Sequence, residues 1–194
     1  MSVKVLLKDR VGHQHHPKHQ HQHHKHHFRE SEIAFIPSQE LASRLTEGYL
    51  PTIVVDTRDD ATNDGQIRGA LLCPEPSFGE EQIKCLMRKA NERRRVCNTG
   101  ISNHKCFIVF YSRGSLKSSL TCAHRFHQAV REQGECNGIS VLILRGGADA
   151  WFHSYGNNRR LCQDFDEDLW NAKYCTNKNK THLPIRNEFA KNKA

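Results

Sequence analysis

The sequence has no Cys-x-x-Cys pair, although it holds eight cysteines: Cys73, Cys85, Cys97, Cys106, Cys122, Cys136, Cys162 and Cys175. That absence excludes the paired spacing of a zinc ribbon and of a thioredoxin-type redox centre. Several of the cysteines lie in apolar runs, where the thiol behaves as a small hydrophobe. Long apolar runs are missing too. Nothing approaches the roughly 20 residues of a membrane helix, and the run from Met1 to Lys8 is too short for a signal-peptide core. The expectation is no membrane partner, free thiols and a reducing compartment, the cytoplasm first and the nucleus second. A basic core is also lacking. The net charge of +8 arises from 29 Lys and Arg against 21 Asp and Glu. Much of the excess sits at Lys4, Lys8, Arg10, Lys18, Lys25 and Arg29 in front and at Arg186, Lys191 and Lys193 behind. A near-neutral middle argues against a nucleic-acid partner, apart from weak contact by a tail.

What the chain does have, first, is histidine. His13, His15, His16, His19, His21, His23, His24, His26 and His27 crowd one low-complexity stretch. Such a stretch cannot build a core, so residues 1–30 are expected to form a disordered tail. Neutral imidazoles bind zinc, copper or nickel, yet without fixed geometry they offer weak metal sites only. A protonation switch near pH ~6 is the third reading of the tract.

Strand and helix signals then alternate. Residues 33–36 read as a short strand, and a helix opens at Pro37 and Ser38 and ends at Gly48. Residues 53–56 make a buried strand, and Ile83, Leu86, Met87 and Ala90 mark a helix over 78–95. Residues 107–111 form a fully buried strand. Leu120, Ala123, Phe126, His127 and Val130 follow at helical spacing up to Gly134, and 140–144 is a further strand. This alternation predicts an α/β sheet with parallel neighbours. His124 and His127 read as packed helix residues, and Cys122 as a core cysteine. The acidic run over 59–65 is turn chemistry, because Thr62 and the absence of a closing Glu break a calcium loop.

The informative stretch lies between the central strand and its helix. A loop of Ser112, Arg113, Gly114, Ser115, Leu116 and Lys117 leads into a helix for which Ser118 and Ser119 are expected as caps. Strand, tight loop and helix N-terminus together make an anion site from inward N–H groups and the helix dipole. The candidate anion-binding residues are therefore Ser112, Arg113, Gly114, Ser115, Leu116, Lys117 and Ser118.

Four motifs in this order carry a resemblance: Asp56-Thr57-Arg58, the Gly65 to Ala70 turn, the loop with its Thr121-Cys122-Ala123 continuation, and Gly146-Gly147 followed by Trp151. They resemble the rhodanese-like superfamily, nearest its cell-division-cycle dual-specificity phosphatases and eukaryotic arsenate reductases. The resemblance implies a mostly parallel five-stranded central sheet flanked by helices. It spans about 33–155, giving a domain over 31–157 and an extension over 158–194 that is disordered in part. In that extension Cys162, Phe165, Leu169, Trp170 and Tyr174 read either as a segment packed on the domain or, with Asp164, Asp166, Glu167 and Asp168, as a docking motif. Asp56 and Arg58 are expected to form an ion pair that pins the loops.

By the same resemblance, Tyr111-Ser112 stands where the enzymes carry His-Cys, and Ser118-Ser119-Leu120 where they carry Arg-Gly-Pro. Ser112 and Ser118 are thus degenerate positions. A hydroxyl neither ionises usefully nor carries a persulfide, and Tyr111 removes the adjacent base. Losing the Arg removes charged hydrogen bonds of about 1.5–3 kcal/mol each. The first expectation is a catalytically inactive domain that binds a protein partner, phosphorylated in one version, or an anion through Arg113 and Lys117, without cofactor. An active enzyme of the same family is the alternative, a hydrolase using Ser112 or a phosphatase or arsenate reductase using Cys122, and metal binding by the histidine tract the second.

Overall fold

A computed structural model describes residues 33–48, 50–59, 64–97, 105–113 and 115–175. The histidine tract with its metal and disorder readings, Gly114, most of the acidic run and everything after 175 lie outside the described residues. In chain order the elements are β1 (Ala34–Ile36), α1 (Ser38–Glu47), β2 (Thr52–Asp56), β3 (Gln66–Ile67), β4 (Leu71–Leu72), α2 (Glu80–Cys97), β5 (Cys106–Tyr111), α3 (Lys117–Glu132), β6 (Ile139–Leu144), α4 (Gly147–Tyr155), β7 (Cys162–Gln163) and α5 (Glu167–Cys175). No helix among the described residues is long and apolar enough to cross a membrane.

Five strands form one sheet in the order β1-β6-β5-β2-β4, every neighbouring pair parallel. This is the five-stranded α/β sheet expected. β5 is central, in register with β2 (Val54 with Val109, Asp56 with Tyr111) and with β6 (Val109 with Leu142). Being covered on both faces, it reads as an unbroken apolar run rather than an alternating one. On one face Ile53, Val55, Ile108, Phe110, Val141 and Ile143 pack with Leu86 and Met87 of α2 and Cys122, Phe126 and Val130 of α3. On the other, Val54, Val109, Tyr111 and Leu144 pack with Leu41, Trp151, Phe152, Leu161, Cys162 and Trp170.

The segment after Asn158 packs on the domain. β7 pairs antiparallel with β3, and Phe165 stacks on Phe152 at 5.3 Å between ring centroids. A Cβ on Gly65, whose φ is +98, would lie 2.8 Å from the Phe165 backbone, so the close approach requires glycine.

Two local expectations are corrected. Helix α3 begins at Lys117 after Leu116, without a side-chain cap. Ser118 and Ser119 lie inside its first turn, and Ser119 Oγ donates back to the Leu116 carbonyl. The hydroxyl satisfies a loop acceptor instead of the orphan amides a cap would serve. His124 is exposed and His127 half-buried, whereas Ser119 and Cys122 share the buried face. The packed stripe of α3 therefore lies to one side of both imidazoles.

Candidate functional site

The loop leaves β5 at the carboxyl end of the parallel strands, where α/β sheets place their sites. Its first residue is held from both sides. Thr57 donates from its amide and its hydroxyl to the Tyr111 carbonyl, at 2.9 and 3.0 Å. The Ala148 amide donates to the Ser112 carbonyl at 2.8 Å. Gly147 makes that contact feasible: its φ is +57, and a Cβ there would sit 2.3 Å from the Ser112 oxygen. The two glycines seen in the sequence before Trp151 thus seat the loop on α4.

Inside the loop, the Ser112 side chain turns inward and is 3% exposed. Its Oγ lies 2.8 Å from the Ser115 carbonyl, 3.1 Å from Ser119 Oγ and 3.4 Å from the Arg113 carbonyl. Two backbone carbonyls, of Ser115 and Leu116, thus accept from the paired hydroxyls of Ser112 and Ser119. Leu116 also packs against the core below α2 and α3. Ser115 and Lys117 are exposed, and Ser118 is half-buried.

Beneath the loop lies a charged group in the sheet end. Arg58 donates Nε to Asp56 Oδ1 at 2.9 Å and Nη2 to Asp56 Oδ2 at 2.7 Å, a forked pair. Its Nη1 reaches Asp64 Oδ1 at 3.2 Å, and Nη2 also reaches the Gly65 carbonyl at 2.7 Å. Arg58, Asp56 and Asp64 are all buried. Burial alone would lower the Arg58 pKa, but the hydrogen bond to Asp56 and the carboxylate charges of Asp56 and Asp64 raise it above the usual arginine range. The ion pair foreseen between Asp56 and Arg58 is present, and through Asp64 and the Gly65 carbonyl Arg58 closes the segment after β2. Tyr111 joins it by donating its phenol to Asp56 Oδ2 at 2.6 Å, and accepts from the Ile67 amide at 3.3 Å. Burial and the neighbouring Asp56 carboxylate push that phenol well above its ordinary pKa, so it stays protonated.

Arg113 connects the loop to this group. Its Nη2 donates to Asp64 Oδ2, while Asp64 Oδ1 faces Arg58. One buried carboxylate therefore bridges two guanidiniums. Arg113, read from the sequence as a cation of the anion-binding loop, is here paired with Asp64. Lys117 is left as the exposed cation of the described loop residues.

Sequence reasoning did not single out Asp64 or the hydroxyl pair of Ser112 and Ser119. Asp64 sits in a run that reads as turn chemistry, and nothing in its spacing points to Arg113 49 residues later. Cys122, the nearest thiol, is buried and its pKa is pushed up to about 12, chiefly by desolvation. Among the described residues, no group of three or more His, Cys, Asp or Glu could hold a metal ion.

Neither a protein-family model nor a curated protein sequence matches the chain. Solved structures do. A yeast protein tyrosine phosphatase of the rhodanese family superposes with a TM-score of 0.63 at 20% identity, over 71% of this chain and 96% of its own. The As-Sb reductase of Leishmania major superposes with a TM-score of 0.56 at 23% identity, over 75% of this chain and 99% of its own. At these identities the likeness is one of fold: the chain has the rhodanese-like fold that the motifs implied.

Proposed function

We propose that this rhodanese-fold domain is non-catalytic and acts by binding a protein partner, through an anionic, for instance phosphorylated, group presented to loop 112–118. The observation that carries this reading is the Ser112 hydroxyl. By the resemblance it stands where the family's enzymes carry their nucleophile; it is buried, and its hydrogen bonds run to the Ser115 carbonyl and to Ser119 Oγ. Tyr111, the residue before it, is bonded to Asp56 on the sheet side. A nucleophile relocated to Cys122 finds no support, since a buried thiol of pKa about 12 is protonated at neutral pH.

In this reading Lys117, Ser115 and Ser118 meet the anion at the first turn of α3, where the helix dipole adds partial positive charge. No covalent step is involved and no cofactor is required. The seven described cysteines are free, which suits a cytoplasmic, reducing setting. The test is turnover by the full chain on an aryl phosphate, on arsenate with glutathione, and on thiosulfate with cyanide. All three should match the blank. Turnover above blank that disappears in Ser112→Ala would overturn the proposal.

A further inference from the structure

We propose that Asp64 is a built-in competitor for Arg113, a carboxylate that occupies the guanidinium a tetrahedral oxyanion at the loop would otherwise recruit. The inference rests on the reading of loop 112–118 as an anion-binding surface, and adds to it the residue that sets its affinity. The geometry is specific. Asp64 is buried, its Oδ1 accepts from Arg58 Nη1 at 3.2 Å, and its Oδ2 accepts from Arg113 Nη2. Arg58 is held independently by its fork to Asp56 and by the Gly65 carbonyl. Arg113 is the more exposed of the two arginines and is the one that belongs to the loop.

The two ion pairs of Asp64 therefore differ in what they do. The Arg58 side is structural, closed in by Tyr111 and Phe152, whose ring centroids lie 5.4 and 5.5 Å from the guanidinium carbon. The Arg113 side can exchange. An arginine in a partly exposed pair can trade one carboxylate for another oxyanion of matching geometry, because the fork recognises both alike. A tetrahedral oxyanion, free or esterified, would have to win Arg113 from Asp64, so the loop of the wild-type chain is a weak receptor by construction.

Asp64→Asn is the informative change. The Asn carbonyl can still accept from Arg58 Nη1, while its NH2 faces a guanidinium that it cannot pair with. Arg113 then loses this carboxylate, and an oxyanion at the loop no longer competes with it for the guanidinium. Titrations of inorganic phosphate and of phenyl phosphate, followed by amide shifts in the full chain, read the result. We expect Asp64→Asn to tighten binding of at least one probe by about tenfold or more, and Asp64→Asn/Arg113→Gln to abolish the gain. A larger gain for phenyl phosphate identifies an esterified ligand, and an equal gain identifies the free ion. A folded Asp64→Asn protein with no gain overturns the inference. Should that variant fail to fold, Arg113→Gln in the wild-type background decides: unchanged affinity supports an engaged Arg113, and a clear loss overturns it. The two proposals fail separately. Turnover sinks the non-catalytic reading whatever Asp64 does, and a titration indifferent to Asp64 sinks the competitor while leaving that reading intact.

Discussion

Tyr111 and Asp56 are register partners on adjacent parallel strands, and the phenol of one donates to the carboxylate of the other at 2.6 Å. The pair ties the end of the central strand to the buried arginine beneath the loop. Removing the hydroxyl in Tyr111→Phe leaves Asp56 one donor short and the Ile67 amide without its acceptor. A buried group that loses its partner costs about 1–3 kcal/mol. A denaturant melt should show that loss at an unchanged m-value. A shift near zero would mean that water reaches Asp56 when the phenol is gone.

Arg58 is the larger stake. In Arg58→Ala two buried carboxylates, Asp56 and Asp64, lose the cation between them. Breaking such a buried pair by deleting one partner typically costs about 3–5 kcal/mol. For a domain of marginal stability that is a large share of the total. The variant should express poorly or melt far below wild type. A stability close to wild type would show that one of the carboxylates takes up a proton readily in its place.

How much of this could be read in advance depends on sequence distance. Four of the five strands of the central sheet declared themselves, because a buried strand needs an apolar run such as Phe107 to Tyr111; β4, two residues long, did not. The turn at Gly147 was legible, since a glycine pair before an aromatic signals a sharp turn and its φ of +57 answers to that, but its seat against the Ser112 carbonyl was not. The expected caps were not legible. Ser118 and Ser119 are cap-type residues, but the helix starts one residue earlier, and Ser119 turns back to Leu116. Local propensity cannot tell a serine that serves an amide from one that serves a carbonyl. The Asp64 bridge was out of reach altogether, because it joins a turn after β2 to a loop after β5 through side chains alone.

The buried thiols give a pH prediction with a definite sign. Cys106, Cys122 and Cys162 are buried, and desolvation raises their pKa values from 9.0 to about 11, 12 and 11. The unfolded chain releases those protons above about pH 9, while the folded chain retains them further up. Stability from these groups is fully present below pH ~9 and falls as pH rises through the folded values. Melting temperature should therefore decline on going from neutral to alkaline buffer, less so in a Cys106→Ser/Cys162→Ser chain if that chain folds. At neutral pH, iodoacetamide should label exposed Cys136 well before Cys122. Rapid labelling of Cys122 below pH 7 would revive it as a reactive thiol.

Gly147 tests how tightly the loop is seated. In Gly147→Ala the new methyl would have to share space with the Ser112 carbonyl, 2.3 Å away, at a φ of +57 that side chains rarely adopt. Strain of this kind costs about 1–3 kcal/mol, and relief requires the Ala148 amide to release the Ser112 oxygen. The melt should drop accordingly, and amide exchange at Ser112 and Arg113 should speed up ahead of the rest of β5. Loss of stability without faster exchange at those two residues would place the strain in α4 instead.

The last prediction concerns what restoring a thiol would and would not do. Ser112→Cys puts a thiol at the position that the resemblance aligns with the enzymes' cysteine, yet the side chain at this position points at the Ser115 carbonyl and at Ser119 Oγ. The carbonyl oxygen opposes a thiolate, and the Ser119 hydroxyl is already donating to the Leu116 carbonyl. The single change should therefore give a protonated, slowly alkylated cysteine and no aryl phosphatase activity. Adding Ser118→Arg supplies a guanidinium in the first turn of α3 and should lower the pKa of the new thiol, seen as faster labelling at neutral pH. Turnover by Ser112→Cys alone would mean that the loop interior opens readily in solution.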